Sequence, residues 1–474
     1  MYIINKVYKI IYYNLIKFKN LVIFLLVNFF FRLNIYIPFF DKYYLLLIYK
    51  IYNNNKSKKN SIDLAKFFIL NQIHKMNKIF FLSPIFNLSG DQKIKKIINN
   101  IFNESQKISQ SLLNYEDSLI VNSGYFKRFG HLAAVYYFIL AIKLNLIKEK
   151  KIIILGEIKN FNSSVLKMLL KNKEVKLSND IDGRYKKIFN YNYGYTFTID
   201  QINLTNNKSI DFIKFYYLVR QKWKEKFKDT KNFVNLDKET NKDGELFLKR
   251  FNIDLSKDWF VIIHIRDNKK ENIFNIRNFD INKCIEAIKF ITSQGGYVIR
   301  IGDKSMKPIN GIDRVIDISN NIYQNNNILY LFSKCSFSIH TASGPIAASS
   351  FFDSPSLYIN IQPMVEIITK ENDFILPSIL IQKGKVINYK NRLDNFGHIT
   401  NNDVLTSKKV RIINNTSLEI LDAVKEIYSF VFKKEFILSK NQKKVYNFYK
   451  IKGFYPLIVS SIIEKNYLDF FNEN

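Results

Sequence analysis

Three short polar loops between Trp259 and Ile361 hold side chains of the kind that grip a diphosphate. The first, His264-Ile265-Arg266-Asp267, closes the apolar run Trp259-Phe260-Val261-Ile262-Ile263. The second, Arg300-Ile301-Gly302-Asp303, follows Tyr297-Val298-Ile299, and the third, His340-Thr341-Ala342-Ser343-Gly344-Pro345, follows Phe337-Ser338-Ile339. Arg266 and Arg300 carry planar guanidinium forks that match phosphate oxygens two at a time. His264 and His340 supply ring donors, and Thr341 and Ser343 supply hydroxyls. Gly302 and Gly344 let the backbone approach an anion or turn sharply, and Asp303 suits a ribose hydroxyl or a cap. Pro345 fits the first position of a helical stretch, Ile346 to Phe352, whose N-terminus adds partial positive charge. Strand alternation sends His264 and Arg266 to one side and leaves Asp267 to hold that arginine or accept a proton. The bland alternatives are a serine-capped strand-to-helix turn and an Arg–Asp pair bracing a strand end.

A fourth loop lies far upstream. Arg128-Phe129-Gly130-His131 follows the strand-like Ser118-Leu119-Ile120-Val121 and precedes a helical pattern to about Leu146. Arg128 and Gly130 suit an acceptor molecule, and His131 titrates near neutral pH, as a general base must. Glu157, just after Ile152-Ile153-Ile154-Leu155, is a second candidate base and Asp267 a third, with no order among them. Several classes are excluded. There is no phosphate-binding Walker loop, no GxGxxG fingerprint and no GxSxG elbow. His264 to Asn272 echoes a kinase catalytic loop with one residue inserted, but the other kinase motifs are missing. No Asp-x-Asp pair stands beside a nucleotide site in the first half, so neither a metal nor another cofactor is expected. Neutralising a leaving diphosphate then falls to the arginines and the helix terminus.

Strands alternating with helices predict an α/β fold with parallel sheets, whose ligands sit beyond the strands' carboxyl ends. The predicted organisation has four parts: an apolar, basic, membrane-associating segment over 1–60; a Rossmann-like acceptor domain over 75–245; a Rossmann-like donor domain over 251–405; and closing helices over 406–474. The charged stretch Asp237 to Gly244 marks the boundary between the two Rossmann-like domains, which are expected to face a cleft.

The formal charge of +31 comes from 72 Lys and Arg against 41 Asp and Glu. With lysines spread throughout an Ile/Lys/Asn-rich chain and no nucleic-acid motif, it reads as composition, and no nucleic-acid partner is expected. Cys284 and Cys335 lack metal spacing and suit a reducing cytosol. Near the start, the apolar run Leu21 to Phe31 is flanked by Lys17, Lys19 and Arg32, and Asn34 and Pro38 cut short any membrane-spanning window. Aromatic and basic residues mixed in this way suit an anionic membrane face, so the chain is expected in the cytoplasm, peripheral at the inner face of the membrane.

The run Val261 to Pro363, with HxRD, a later RxGD and a Ser-Gly loop before a helix, resembles a group of bacterial glycosyltransferases. The upstream Arg-Phe-Gly-His131 is similar to that group's RxGH loop. His340 to Pro355 more distantly resembles the donor loop of lipopolysaccharide heptosyltransferases, though Ala342 stands where that loop carries Asp. The HxR element is similar to one in fucosyltransferases. The resemblance implies a GT-B fold, two Rossmann-like domains with the donor held by the second. It also implies metal-independent transfer of a sugar from a nucleotide-sugar donor to a cell-surface glycan or lipid-linked acceptor. An epimerase or hydrolase on the same fold, or a non-catalytic nucleotide-sugar binder, are the alternatives.

Overall fold

The computed structural model describes residues 117–472 apart from 123–128, 156–162, 179–200, 229–232, 268–275, 304–305, 320–323, 363–368, 400–401 and the single positions 207, 398, 435 and 455. The apolar, basic segment over 1–60 therefore lies outside the described residues. Among those described, no helix is long and apolar enough to cross a membrane.

The first strands and helices repeat one simple unit. Strand β1 (Ser118–Asn122), helix α1 (Phe129–Lys143), β2 (Lys151–Leu155), α2 (Ser163–Leu170) and β3 (Val175–Ser178) give a three-stranded sheet in the order β1-β2-β3, with both pairings parallel. A small antiparallel pair, β4 (Gln201–Asn203) and β5 (Ser209–Asp211), leads into α3 (Phe212–Phe227). Next comes α4 (Lys238–Lys249), whose N-cap Asp237 accepts from the Thr240 backbone. The charged stretch expected to be a domain boundary is therefore the start of a capped helix. Gly244 within it is no breaker: it is the point where α4 lies directly on the Tyr330 ring, and a Cβ there would come within 2.0 Å of Tyr330 Cγ.

The second sheet is larger. It contains β6 (Phe260–His264), β7 (Tyr297–Arg300), β8 (Val315–Asp317), β9 (Phe337–His340), β10 (Ser356–Ile361), β11 (Phe374–Pro377) and β15 (Ile458–Val459). Helix α5 (Ile285–Ser293) precedes β7, and α6 (Gln324–Lys334) precedes β9. The order across the sheet is β8-β7-β6-β9-β10-β11-β15, and every pairing is parallel. Apolar residues make up most of the central strands, and β6, β9, β10 and β11 are buried along their whole length, as a sheet covered on both faces requires. One face is wholly apolar in its centre: Val261, Ile263, Phe337, Ile339, Leu357 and Ile359 join one hydrophobic core. A separate antiparallel sheet has the order β13 (Lys385–Val386), β12 (Ile379–Gln382) and β14 (Val410–Ile413).

Residues 406–474 carry helices together with the short strands β14 (Val410–Ile413) and β15. Helix α8 (Ser417–Tyr428), held at its start by a Thr416/Glu419 capping box, packs on α5, and β15 completes the edge of the large sheet. A two-residue strand carries no periodicity, which is why the sequence read as helix there. The helix after the Ser-Gly-Pro loop, α7 (Ile346–Ser349), is also shorter than the predicted Ile346 to Phe352, because a turn and a bridge follow it. The α/β class with parallel sheets holds.

The upstream helices reach the large sheet just past α7. Tyr137 of α1 donates to Ser350 Oγ at 2.9 Å. Arg220 of α3, wholly buried, donates to the Ser350 carbonyl at 2.6 Å and to Asp353 at 2.9 Å. Phe351 meets the rings of both Tyr136 and Tyr137. Tyr136 in turn donates to the carbonyl of Phe233, whose backbone N–H bonds to Phe351.

Candidate functional site

In chain order the large sheet grows outward from β6 to β8, then crosses back and grows the other way from β9 to β15. The reversal falls between β6 and β9. In open parallel sheets the crevice beyond the carboxyl ends at such a reversal is the usual ligand site. Two of the three loops singled out from sequence leave the sheet at this point, with His264 and His340 as direct register partners.

The loops are latched to one another. The backbone N–H of Arg266 donates to Thr341 Oγ1 at 2.8 Å, and Thr341 N bonds the His264 carbonyl at 3.1 Å. Arg277 Nε donates to the Ala342 carbonyl at 2.8 Å, so a second guanidinium is seated on the Ser-Gly-Pro loop. Asn278 Oδ1 accepts from Arg266 Nε at 3.2 Å, and Phe279 N closes the return with a bond to the Arg266 carbonyl at 2.8 Å. Arg266, Asp267, Arg277, Ser343 and Gly344 are all half-buried, whereas Thr341 is buried. The rim thus joins two guanidinium groups, a carboxylate and a small-residue loop. With α7 only one turn long, charge compensation at this rim falls to the two arginines.

Behind the rim lies a polar seam on the face opposite the apolar core. In-register neighbours His264, His340 and Tyr358 form one row across β6, β9 and β10, and Ser338 and Ser356 form the row beneath. His340 Nε2 and Ser338 Oγ are 2.7 Å apart, and the two serine hydroxyls 3.0 Å apart. Lys370, fully buried, donates to Ser356 Oγ at 2.9 Å and pairs with the equally buried Asp373 at 3.0 Å. Asp373 also accepts from Tyr358 at 3.1 Å and from the backbone of Ser356 and Lys370, both at 2.8 Å. Burial lowers the Lys370 pKa while Asp373 pulls it back up, and burial with the Asp373 charge raises Tyr358 well above its usual range. Burial, reinforced by the charges of Arg266 and Arg300, pushes His264 down to about 4, against the opposing pull of the Ile301 carbonyl. His340 is lowered well below its usual value, first by burial and then by His264 and Lys370. Both rings are therefore neutral near pH 7.

Arg300 does not stand on the rim. Its side chain is 0% exposed, pairs with Asp317 of β8 at 2.6 Å and donates to the Lys307 carbonyl. It braces β7 against β8, with its Nη1 taken up by Asp317 and the Lys307 carbonyl. Burial opposes the ionisation of Asp317, but bonds from Ser319 and Ile309 together with the Arg300 charge outweigh it and hold the carboxyl low. Gly302 is half-buried, and a Cβ there would fall 2.5 Å from Met306 Sδ, so its smallness serves that thioether contact. Asp303 is exposed, and its carbonyl accepts from Met306 at 2.9 Å.

Of the upstream candidates, Gly130 and His131 open α1, while Arg128 and Glu157 lie outside the described residues. Among the described residues no three His, Cys, Asp or Glu side chains gather as metal ligands would. Arg277 and Asn278 join the rim although no motif in the sequence singles them out. Nor does any motif mark Ser338, Lys370 and Asp373. Arg277 sits on the return from the first loop, and that position is its only signal.

No protein-family model matches the chain, and no curated protein matches it in sequence. Solved structures offer distant likenesses. A glycosyl transferase family 9 protein from Veillonella parvula is similar at 9% identity and TM-score 0.36, over 55% of this chain and 86% of its own. The E. coli ADP-heptose lps heptosyltransferase II is similar at 10% identity and TM-score 0.37, over 68% and 100%. An E. coli heptosyltransferase solved with ADP is similar at 10% identity and TM-score 0.27, over 59% and 94%. Likenesses this faint decide no reaction, so the chemistry has to come from this chain's own side chains.

Proposed function

We propose that the chain is a glycosyltransferase whose nucleotide-sugar donor lies across the carboxyl ends of β6 and β9. The observation that carries this reading is the joining, at the chain-order reversal of a parallel sheet, of Arg266 and Arg277 with the Thr341–Gly344 loop. Two guanidinium groups beside a small-residue loop suit the two phosphates of a nucleoside diphosphate, and their charge stabilises the leaving diphosphate without a resident metal. Asp267, half-buried on the same loop, is a candidate base for the acceptor hydroxyl, with His131 and Glu157 the others. Arg128 and Gly130 would meet the acceptor, a cell-surface glycan or lipid-linked molecule. The apolar, basic 1–60 segment would keep the enzyme at the inner face of the membrane, beside such an acceptor.

Calorimetric titration with nucleoside diphosphates and their sugar conjugates, in the presence of a chelator, tests the donor site. One base should bind, and Arg266→Ala should weaken it by ~10-fold or more, as befits loss of a charge-assisted contact worth roughly 1.5–3 kcal/mol. The Ala variant should melt within a few degrees of the parent. Absence of binding by every nucleotide would remove this reading.

A further inference from the structure

One surface helix carries its charge differently from the others. Helix α9 (Lys440–Ile451) starts at a Ser439/Gln442 capping box and turns Gln442, Val445 and Tyr449 inward. Val445 and Tyr449 join the apolar core, and Gln442 Nε2 donates to the Val459 carbonyl at 2.7 Å, so the inner face is fixed. The exposed positions are Lys440, Lys443, Asn447, Lys450 and Ile451, which at 3.6 residues per turn share an arc of about 100°. Elsewhere exposed lysines are matched three residues away: Lys222 with Glu225 in α3, Lys289 with Glu286 in α5, and Lys425 with Asp422 in α8. Helix α9 holds no carboxylate. Among the described residues none of Lys440, Lys443 and Lys450 has an ion-pair partner. The flanking carboxylates are engaged elsewhere: Glu464 accepts from Ser439 at 2.6 Å and Asn441 at 2.8 Å, and Asp394 pairs with Lys452 just past the helix. A lysine-rich composition spreads lysines everywhere, but it does not strip the partners from one face.

The apolar groups at the ends of this helix are the second observation. Ile437, two residues before the cap, is 90% exposed, and Ile451, the last helical residue, is 84% exposed. These are the highest values of any large apolar side chain among the described residues. Phe432 is exposed on the approach to the helix, as are Lys433 and Lys434, neither of which has an ion-pair partner there. A single exposed isoleucine needs no explanation, but two that bracket an unmatched lysine face call for one. We infer that α9 and its approach from Phe432 form a contact face for an anionic lipid bilayer. Ile437 and Ile451 enter the acyl boundary, while the lysine stems lie along it and their ammonium groups meet headgroup phosphates. Other occupants match less of the surface. A second copy of this chain would set lysines against lysines, and a nucleic acid would leave the isoleucines in water. A folded acidic protein would need a pocket for each isoleucine, whereas a fluid acyl layer admits a protruding side chain without one. This face goes beyond the donor reading and stands without it, and it is separate from the 1–60 segment.

The test uses the full chain and a probe that reports on this face alone. Both native cysteines are buried, so Ile437→Cys and Ile451→Cys can each be labelled selectively with an environment-sensitive fluorophore. With vesicles of equal parts phosphatidylglycerol and phosphatidylcholine, both labels should shift to the blue and be quenched by lipids brominated in their acyl chains. Vesicles of phosphatidylcholine alone should produce neither change. In the labelled Lys440→Gln/Lys443→Gln/Lys450→Gln variant, half-maximal shift should need ~10-fold or more lipid, with melting unchanged, as loss of three ammonium groups near an anionic surface requires. Labels that stay in water while the chain sediments with the vesicles put the contact on 1–60 alone and overturn this face. An equal shift on phosphatidylcholine, or a triple variant that behaves as the parent does, overturns it as an anionic-lipid site. A shift without lipid, on raising protein concentration or adding single-stranded RNA, overturns it in favour of self-association or nucleic acid. Nucleotide binding is read separately by calorimetry, so a failed donor reading leaves these outcomes unchanged.

Discussion

His264 should make the fold acid-sensitive in a way one substitution can isolate. Its pKa falls from 6.5 in an unfolded chain to about 4 in the folded one, chiefly because burial disfavours the imidazolium. Between those values the unfolded state binds a proton that the folded state refuses, so stability rises with pH in this window. The contribution is fully present above about pH 6.5, declines as pH falls, and is exhausted near pH 4; its full size is roughly 3 kcal/mol. By about pH 4.5 some 2.5 kcal/mol should be gone. His264→Asn places an amide N–H where Nδ1–H meets the Ile301 carbonyl and cannot titrate. Urea unfolding of the two proteins, taken in steps from about pH 7 to 4.5, gives the difference directly, because other groups largely cancel. The parent should lose stability relative to the variant by about 2–3 kcal/mol over that range. A flat difference would mean that His264 accepts a proton in the folded state as readily as in the unfolded one, and the neutral-ring argument would fall.

Three further outcomes can be measured by thermal or urea unfolding. Gly244→Ala drives a methyl group to within 2.0 Å of the Tyr330 ring and should cost about 1–3 kcal/mol or more, unless α4 moves off α6. Lys370→Met alone strands the Asp373 charge and should cost ~3–5 kcal/mol, whereas the double Lys370→Met/Asp373→Asn should recover much of it; equal losses would show that the two groups are not coupled. Arg300→Met should destabilise by a similar few kcal/mol through the orphaned Asp317, in contrast to Arg266→Ala, and an Arg300 variant with unchanged melting but lost nucleotide binding would return it to the rim.

The strands that bear the loops were legible because β-branched runs such as Phe260–His264 end abruptly at polar residues. Their order was not, since nothing local says that β9 returns to lie beside β6 rather than beyond β8. Arg300 shows the cost of that gap. It stands in a loop like that of Arg266, yet pairing with β8 brings Asp317 onto it and the side chain is wholly buried. Gly244 carried a signal the sequence does not show: it lies inside a helix, where its missing side chain makes room for Tyr330. Lys370 and Asp373 sit three residues apart in a stretch with no motif, and only the closing of β10 against β11 makes them a buried pair.

The bond from Arg266 N to Thr341 Oγ1 joins residues 75 apart in sequence. That separation sets when the site can exist during folding. Each half of the large sheet can begin from local strand–helix–strand contacts, but the rim forms only when a loop of that length closes, a late and entropically costly event. A chain arrested halfway would hold much of its secondary structure and no rim for the proposed donor. A ligand bound at that rim would then select finished molecules and draw the folding equilibrium toward them, a reporter of completed folding.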